Sequence, residues 1–397
     1  MPPQIQTDKI SLDNLLAIEH ALTDLEKTAR DMVKAWVKNR FMPRITQAHR
    51  EGIFPRELIP ELAELGVFGA NITGYGCAGM NNVAYGLVLQ ELERGDSGLR
   101  SLCSVQGSLV MYPILQYGSE EQKNAYLPKL ARGTLIGCFG LTEPSAGSDP
   151  AAMKTYARRD GHDYILDGMK AWITSAPFAD IAVVWAKVSD ENDTIRGFVI
   201  ERGTKGFHTP DIEGKFSLRA SATGEIHLTE CRVSEKNMLP FGKGLKAPLS
   251  CLTQAREGIA WGVVGAALDC YETVLQYGLE RIAFDKPIAS FQLYQASLCE
   301  MATKIINAQL LSLHYGRLKD AGMLTPAQVS LHKRHNVAIA REIASMARGM
   351  LGGIGITDAY PVMRHMMNIE SVYTYEGTHE IHTLAVGRAL TGISAFA

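Results

Sequence analysis

Glu376 and His379, in the run Tyr375-Glu376-Gly377-Thr378-His379-Glu380-Ile381-His382, form a Glu-x-x-His pair. That is the spacing by which di-iron carboxylate bundles take two ligands from one helix face. A di-iron site also needs a second such motif and two further carboxylates, and no second Glu-x-x-His occurs in the chain. Gly377 directly after Glu376 weakens the helix on which the ligand would stand. The competing reading is a set of solvated charges at a helix start. Upstream, Phe139-Gly140-Leu141-Thr142-Glu143-Pro144-Ser145-Ala146-Gly147-Ser148-Asp149 joins small residues, which let backbone approach a ligand, with the hydroxyls of Thr142 and Ser148. An ordinary turn has the same composition. Trp172-Ile173-Thr174 offers a ring and a hydroxyl to a planar heterocycle, against the commoner use of a strand tryptophan as core. Arg281, followed by Phe284 and Gln292, is either an anion ligand or a solvated helix-end arginine. Gly349, Gly352 and Gly353 belong to a glycine-rich stretch of the kind that ends helices. Arg100 can offer a bidentate guanidinium to a carboxylate, or pair at the surface with Asp96.

Three kinds of segment must position these groups. In the first third, Leu22, Leu25, Ala29, Met32, Val33, Trp36 and Val37 recur at helical spacing after a capping box of Thr23 with Glu26. Further helices are predicted over 56–65 and 83–93, and Ser119 with Gln122 opens another toward Leu130. From about Gly133 the period changes, and 164–168, 181–188, 196–201 and 225–230 read as β-branched strands between Gly, Asn and Asp turns. After Lys246 helical patterning returns near 249–284, 288–321, 326–351 and 378–391, which suggests a bundle. Thr325-Pro326-Ala327-Gln328 places an N-cap, a proline at the first helical position and a capping-box glutamine together. The expected domains are a helical unit over 1–132, a β unit over 133–245 and a helical bundle over 246–397.

Composition narrows the function. A length of 397 residues exceeds one ordinary core, and 46% hydrophobic with 21% charged residues is normal for a globular chain. The net charge of −2 gives no basic surplus to neutralise phosphates, which argues against nucleic-acid binding. Seven scattered cysteines, an odd number without C-x-x-C spacing, read as reduced thiols in a cytosol-like compartment. The first fourteen residues have neither an apolar signal core nor a transit-peptide composition. The most apolar stretch, 258–268, is only about half the length that spans a bilayer. The expectation is therefore no membrane insertion and a bacterial cytoplasmic location, or the mitochondrial matrix for a mature eukaryotic form.

Taken together and in order, these motifs resemble the acyl-CoA dehydrogenase family. Residues 139–149 are similar to its first signature, and 349–355 to its second, a glycine-rich helix end near the adenine half of FAD. Residues 375–382 are similar to the family's catalytic stretch. The resemblance implies a mostly helical α+β fold with an N-terminal helical domain, a middle β-barrel domain and a C-terminal four-helix bundle. It implies a homotetramer, one FAD per subunit, an acyl-CoA substrate and electron-transfer flavoprotein as acceptor. By the same resemblance Glu376 is the base that removes the α-proton, with Gly377 and Arg256 at the substrate and Thr378 at FAD. Phe139, Leu141, Thr142, Gly147, Ser148, Trp172, Ile173 and Thr174 fall where the family touches flavin, with Ser148 also at the substrate. Arg281, Phe284, Gln292, Gly349, Gly352 and Gly353 match positions that reach FAD, Arg281, Phe284 and Gln292 across a subunit interface. Some members carry the base just before the arginine that matches Arg256; here that residue is Ala255, and Glu257 lies about 100° further round a helix.

Residues 91–106 resemble the stretch that marks the glutaryl-CoA dehydrogenases within the family, where Arg100 and Ser104, beside Ser101, would hold a distal carboxylate. Glu93 and Tyr375 match residues linked to decarboxylation. The implied reaction is conversion of glutaryl-CoA to crotonyl-CoA and carbon dioxide, in lysine, hydroxylysine and tryptophan breakdown. Alternatives are a short-chain acyl-CoA dehydrogenase or oxidase, a non-decarboxylating glutaryl-CoA dehydrogenase, a non-catalytic acyl-CoA-binding paralogue and the di-iron bundle. Leu99, Gly107, Gly349 and Ala359 depart from the family's usual residues.

Overall fold

The computed structural model describes residues 10–395, apart from the side chain of Asp13, so the expectations on residues 1–9 and 396–397 lie outside the described residues. The first unit holds α1 (Leu12–Leu16), α2 (Asp24–Trp36), α3 (Met42–Glu51), α4 (Ile59–Glu64), α5 (Asn82–Gly95), α6 (Ser97–Ser104), α7 (Tyr112–Tyr117) and α8 (Glu120–Ala131). Capping boxes start α2 and α8, because in each the N-cap hydroxyl and the third side chain satisfy each other's backbone N–H groups. Asp96 breaks the chain between α5 and α6, with extended backbone and a carboxylate that accepts from Gly98 N at 2.7 Å. A π-helical stretch, Val105–Met111, joins α6 to α7. The sequence pattern gave no sign of α6 or α7.

The middle unit is a sheet of β1 (Gly137–Gly140), β2 (Tyr156–Asp160), β3 (Asp163–Thr174), β4 (Ile181–Val188), β5 (Thr194–Glu201), β6 (Phe207–His208), β7 (Thr223–Ser234) and β8 (Met238–Lys243). The strand order is β6-β7-β3-β2-β4-β5-β8, and β1 pairs in parallel with β4. One apolar core, with Val184, Phe198 and Ile226, lies within this unit. Phe139, Trp185 and Leu239 belong instead to the core of the helical unit and so bind the two together.

The last unit contains α9 (Lys246–Glu280), the hairpin β9 (Ile282–Ala283) and β10 (Lys286–Pro287), α10 (Gln292–Asp320), α11 (Pro326–Met350), α12 (Val362–Thr374) and α13 (His379–Thr391). Thr325 caps α11 in a third capping box, with Pro326 at its first position. α9 is buried on most of its circumference, since it packs on α5 of the first unit and on α10, α11 and α12 of its own. Gly262 permits the closest part of that approach, because a Cβ there would lie 2.1 Å from Glu93 Oε2. α12, which sequence periodicity did not reveal, leads directly into residue 375. No described helix is long and apolar enough to cross a membrane.

Candidate active site

Residues 375–378 connect α12 to α13, and their shape is unusual. Glu376 has φ 51 and Gly377 φ 96, both in the left-handed region. A side chain at 377 would bring its Cβ 2.9 Å from His382 Nε2, so glycine is required by space as well as by φ. Thr378 then caps α13 through Ile381 N at 3.2 Å. Glu376 thus lies before the helix that begins at His379, not on one face with it, while His379 stacks on Tyr373 at 4.7 Å between centroids. The Glu-x-x-His spacing is therefore not realised as a helical pair. Glu376 Oε2 is cut off from solvent and has no protein partner among the described residues. Burial pushes the Glu376 carboxyl up to about 7, while Arg100, Arg256 and Lys333 nearby act in the opposite sense. Arg256 Nε donates to the Glu376 carbonyl at 2.7 Å. Glu257, one position on, accepts from Trp261 Nε1 and lies 3.2 Å from His332 Nδ1, so it faces a different buried cluster.

Arg100 sits on α6 with 1% of its surface exposed. Its Nε donates to Glu93 Oε2 at 2.6 Å, and its Nη2 donates to the Tyr375 hydroxyl. Burial disfavours the charge on Arg100, but Glu93 and Tyr375 beside it more than offset that effect. Asp96 does not pair with Arg100, contrary to the surface-pair reading. It binds Arg364 Nη1 and Asn368 Nδ2, each at 2.8 Å, and anchors α12 to the start of α6. Glu93 Oε1 and Ser104 Oγ are buried without a partner in the described protein. Ser101 is buried on the same helix. Isolated buried polar atoms carry a penalty of about 1–3 kcal/mol each. Several such atoms around one arginine and one carboxylate mark a place where a polar ligand completes the hydrogen bonding. Leu99 is fully buried, and a Cβ at Gly107 would meet Gly69 N at 3.2 Å.

The loop after β1 is tied down by Glu143, quoted within 139–149 without a role, and by Lys154, Thr155 and Lys170, which no motif includes. Glu143 is 5% exposed and accepts from Lys170 Nζ at 2.8 Å, Thr155 N at 2.9 Å and Lys154 N at 2.6 Å. Lys170 also reaches the Leu141 carbonyl at 3.2 Å, and Ala171 N donates to the Thr142 carbonyl at 3.0 Å. The pairing of β3 with β7 is interrupted between Lys170 and Ile173, and within that bulge Trp172 adopts φ 62. The bulge turns the indole outward, leaving it 64% exposed, while Ile173 beside it is 3% exposed. Trp185 rather than Trp172 is the core tryptophan of this sheet. Phe139 and Leu141 are buried, Thr142 and Thr174 half-buried, and Gly147 and Ser148 exposed. An uncovered indole beside two hydroxyl residues and a loop of open glycine fits the edge of a large planar heterocycle.

The remaining expected residues stand apart. Phe284 and Asp285 form the tip of the β9–β10 hairpin, with φ 52 and 62, and Phe284 is 88% exposed. Arg281 and Gln292 flank that hairpin and are exposed, as are Gly349, Gly352 and Gly353. Among the described residues, no hydrogen bond or ion pair joins this group to Glu376.

Comparison with known proteins agrees along nearly the whole chain. The acyl-CoA dehydrogenase N-terminal, middle and C-terminal domain families match residues 23–134, 138–231 and 242–391. A crystal structure of glutaryl-CoA dehydrogenase from Mycobacterium smegmatis superposes with a TM-score of 0.95 at 52% identity, covering 98% of this chain and 100% of that one. A second from the same organism, in complex with FADH2, gives 0.96 at 48% identity with the same coverage. The short-chain-specific acyl-CoA dehydrogenase of Megasphaera elsdenii is 33% identical over 93% of this chain and 98% of its own length.

Proposed function

The chain belongs to the acyl-CoA dehydrogenase family and is an FAD-dependent enzyme of that family, and from that premise we propose that it converts glutaryl-CoA to crotonyl-CoA and carbon dioxide. The observation that carries the choice of substrate is Arg100. It is a buried cation already braced by Glu93 and Tyr375, with Ser104 Oγ unpartnered nearby. A buried ion pair adds little net stability, so a buried cation within electrostatic reach of Glu376 is best explained by recognition of a second carboxylate.

When bound, FAD supplies the two-electron oxidation. Phe139, Leu141, Thr142, Gly147, Ser148, Trp172, Ile173, Thr174 and Thr378 hold it within the subunit. Gly349, Gly352 and Gly353 would reach its adenine half, and Arg281, Phe284 and Gln292 would reach it from a neighbouring protomer in a homotetramer, a role that the exposure of Phe284 supports. Ser148, Gly377 and Arg256 lie along the thioester. Glu376 accepts the α-proton on its carboxylate. Ser101, Ser104 and Arg100 hold the distal carboxylate, and Glu93 and Tyr375 set how firmly Arg100 retains it as carbon dioxide leaves. Electron-transfer flavoprotein would be the acceptor. The three units divide as 1–132, 133–245 and 246–397, and the enzyme serves lysine, hydroxylysine and tryptophan breakdown in the bacterial cytoplasm or mitochondrial matrix.

A panel of acyl-CoA thioesters assayed with released carbon dioxide tests this reading. Glutaryl-CoA should be turned over fastest, with one carbon dioxide per crotonyl-CoA formed. Faster turnover of butyryl-CoA would support the short-chain reading, which the similarity to short-chain-specific relatives favours. Turnover without carbon dioxide would mark a non-decarboxylating enzyme. The pH dependence follows from the base. With the Glu376 carboxyl raised to about 7, only its ionised form can take the proton, so the rate should fall as pH drops through that value. A rate that stays level down to about pH 5 would place the base elsewhere.

A further inference from the structure

Lys333 stands on α11 with 1% of its surface exposed. Its Nζ donates to the Tyr375 carbonyl at 2.9 Å and to the Gly377 carbonyl at 2.7 Å. Those are the carbonyls on either side of Glu376, whose own carbonyl is held by Arg256. Two cations from different helices thus grip three consecutive peptide oxygens. Left-handed backbone at a residue such as glutamate costs about 1–3 kcal/mol and persists only where the surroundings over-determine it. A buried ammonium spent on main-chain oxygens is itself expensive, and nothing in ordinary core packing calls for it.

We propose that Lys333 is the positioning residue of the base: its ammonium clamps the carbonyls on both sides of Glu376, aims the carboxylate at the acyl end, and favours its ionised form. The inference rests on the reading of Glu376 as base. The groups facing the pair are Tyr85 from α5, Arg100 from α6, Arg256 from α9, the adjacent Tyr375, and His379, Glu380 and His382 from α13. Burial presses Lys333 down to about 7, with Glu376 and Glu380 opposing and Arg256 and Arg100 assisting. Each of Lys333 and Glu376 favours the charged form of the other, and the productive form has ammonium and carboxylate together. His382, packed against the same loop, is held neutral at about 3 by burial, Lys333 and Arg256, so it adds no competing charge.

The test uses the holoenzyme and 3-thiaglutaryl-CoA, which has an acidic α-hydrogen and a distal carboxylate but no β-carbon hydrogen to lose. Exchange of its α-hydrogen with deuterium oxide, followed by mass spectrometry across pH, reads the base alone. In Lys333→Met the acid limb should move up by about one pH unit and exchange at neutral pH should fall about tenfold. Lys333→Arg, which keeps the charge, should return the limb toward that of the unaltered enzyme. A lysine that merely supports the fold would change thermal stability and leave the limb in place, and an unmoved limb in a folded Lys333→Met overturns the proposal. If the methionine variant does not fold, Lys333→Gln keeps an N–H without charge and must show the same shift. If the unaltered enzyme exchanges nothing, the assignment of Glu376 fails. Crystal structures of the unaltered protein and Lys333→Met then decide the clamp separately: displacement of 375–378 supports it, and an unchanged Glu376 conformation refutes it.

Discussion

Glu376→Gln should reduce glutaryl-CoA turnover by about 10²–10⁴-fold, the usual contribution of a positioned general base. Glutamine has nearly the same shape, so the left-handed segment and the Arg256 contact to its carbonyl should survive. Stability separates loss of chemistry from loss of fold. The folded-state carboxyl stands at about 7 against an ordinary 4.5, so its contribution to stability falls as pH rises between those values, and the cost is fully present above about 7. Glutamine removes that buried charge. At pH about 8 the variant's thermal midpoint should equal or exceed that of the unaltered protein while reduction of bound flavin by substrate nearly stops. Retained flavin reduction would remove Glu376 from the reaction. A lowered midpoint with proportionate loss of activity would instead indicate a structural role.

Arg100→Ala should damage glutaryl-CoA turnover far more than butyryl-CoA turnover, changing the ratio of their kcat/KM values by about 10–100-fold, as expected for loss of a charged hydrogen bond. The variant also strands Glu93. Breaking one half of a buried pair costs about 3–5 kcal/mol, so some general loss of stability is expected and the ratio, not either rate, is the measurement. Arg100→Ala combined with Glu93→Gln removes the stranded charge and should recover stability without recovering glutaryl-CoA preference. Equal losses on both substrates would reject the carboxylate role. The hydrogen bond from Arg100 to Tyr375 gives this pair a second meaning. Tyr375 directly precedes Glu376, so Arg100 is tied to the segment that carries Glu376.

Several elements are legible in the sequence because their causes are local. Three capping boxes, at Thr23, Ser119 and Thr325, start helices where the side chains predict, since each box is closed within four residues. β-branched runs locate four strands, though β3 runs six residues beyond its expected end, and periodicity locates the long helices of the last unit with ends within a few residues of those observed. The strings at 139–149, 172–174 and 375–382 stand out by resemblance to the family, because local chemistry alone fits a turn, a core strand or a solvated helix start equally well. The shortfalls have equally definite causes. α6 was missed because it is buried on every side and follows α5 after a single break at Asp96, so neither alternation nor a polar face announces it. β1, β2 and β8 are short and are defined by their partners rather than by their own composition.

By itself, the order of residues determined where several helices begin, which third of the chain forms the sheet, and which family the chain resembles. Only the tertiary structure decided what those residues meet. Arg100 has three carboxylates in its own stretch, and packing of α5, α6 and α9 gives it Glu93 while Glu91 pairs with Arg94 and Asp96 with Arg364. Trp172 faces outward because a bulge against β7 reverses its side, and Glu143 became a buried anchor because Lys170 arrives beneath it. Lys333 lies 42 positions before Tyr375 and was not singled out from the sequence. Capping and periodicity act over one or two turns, whereas burial and the strength of a charge depend on elements far apart in the chain, so they exist only once the fold has closed.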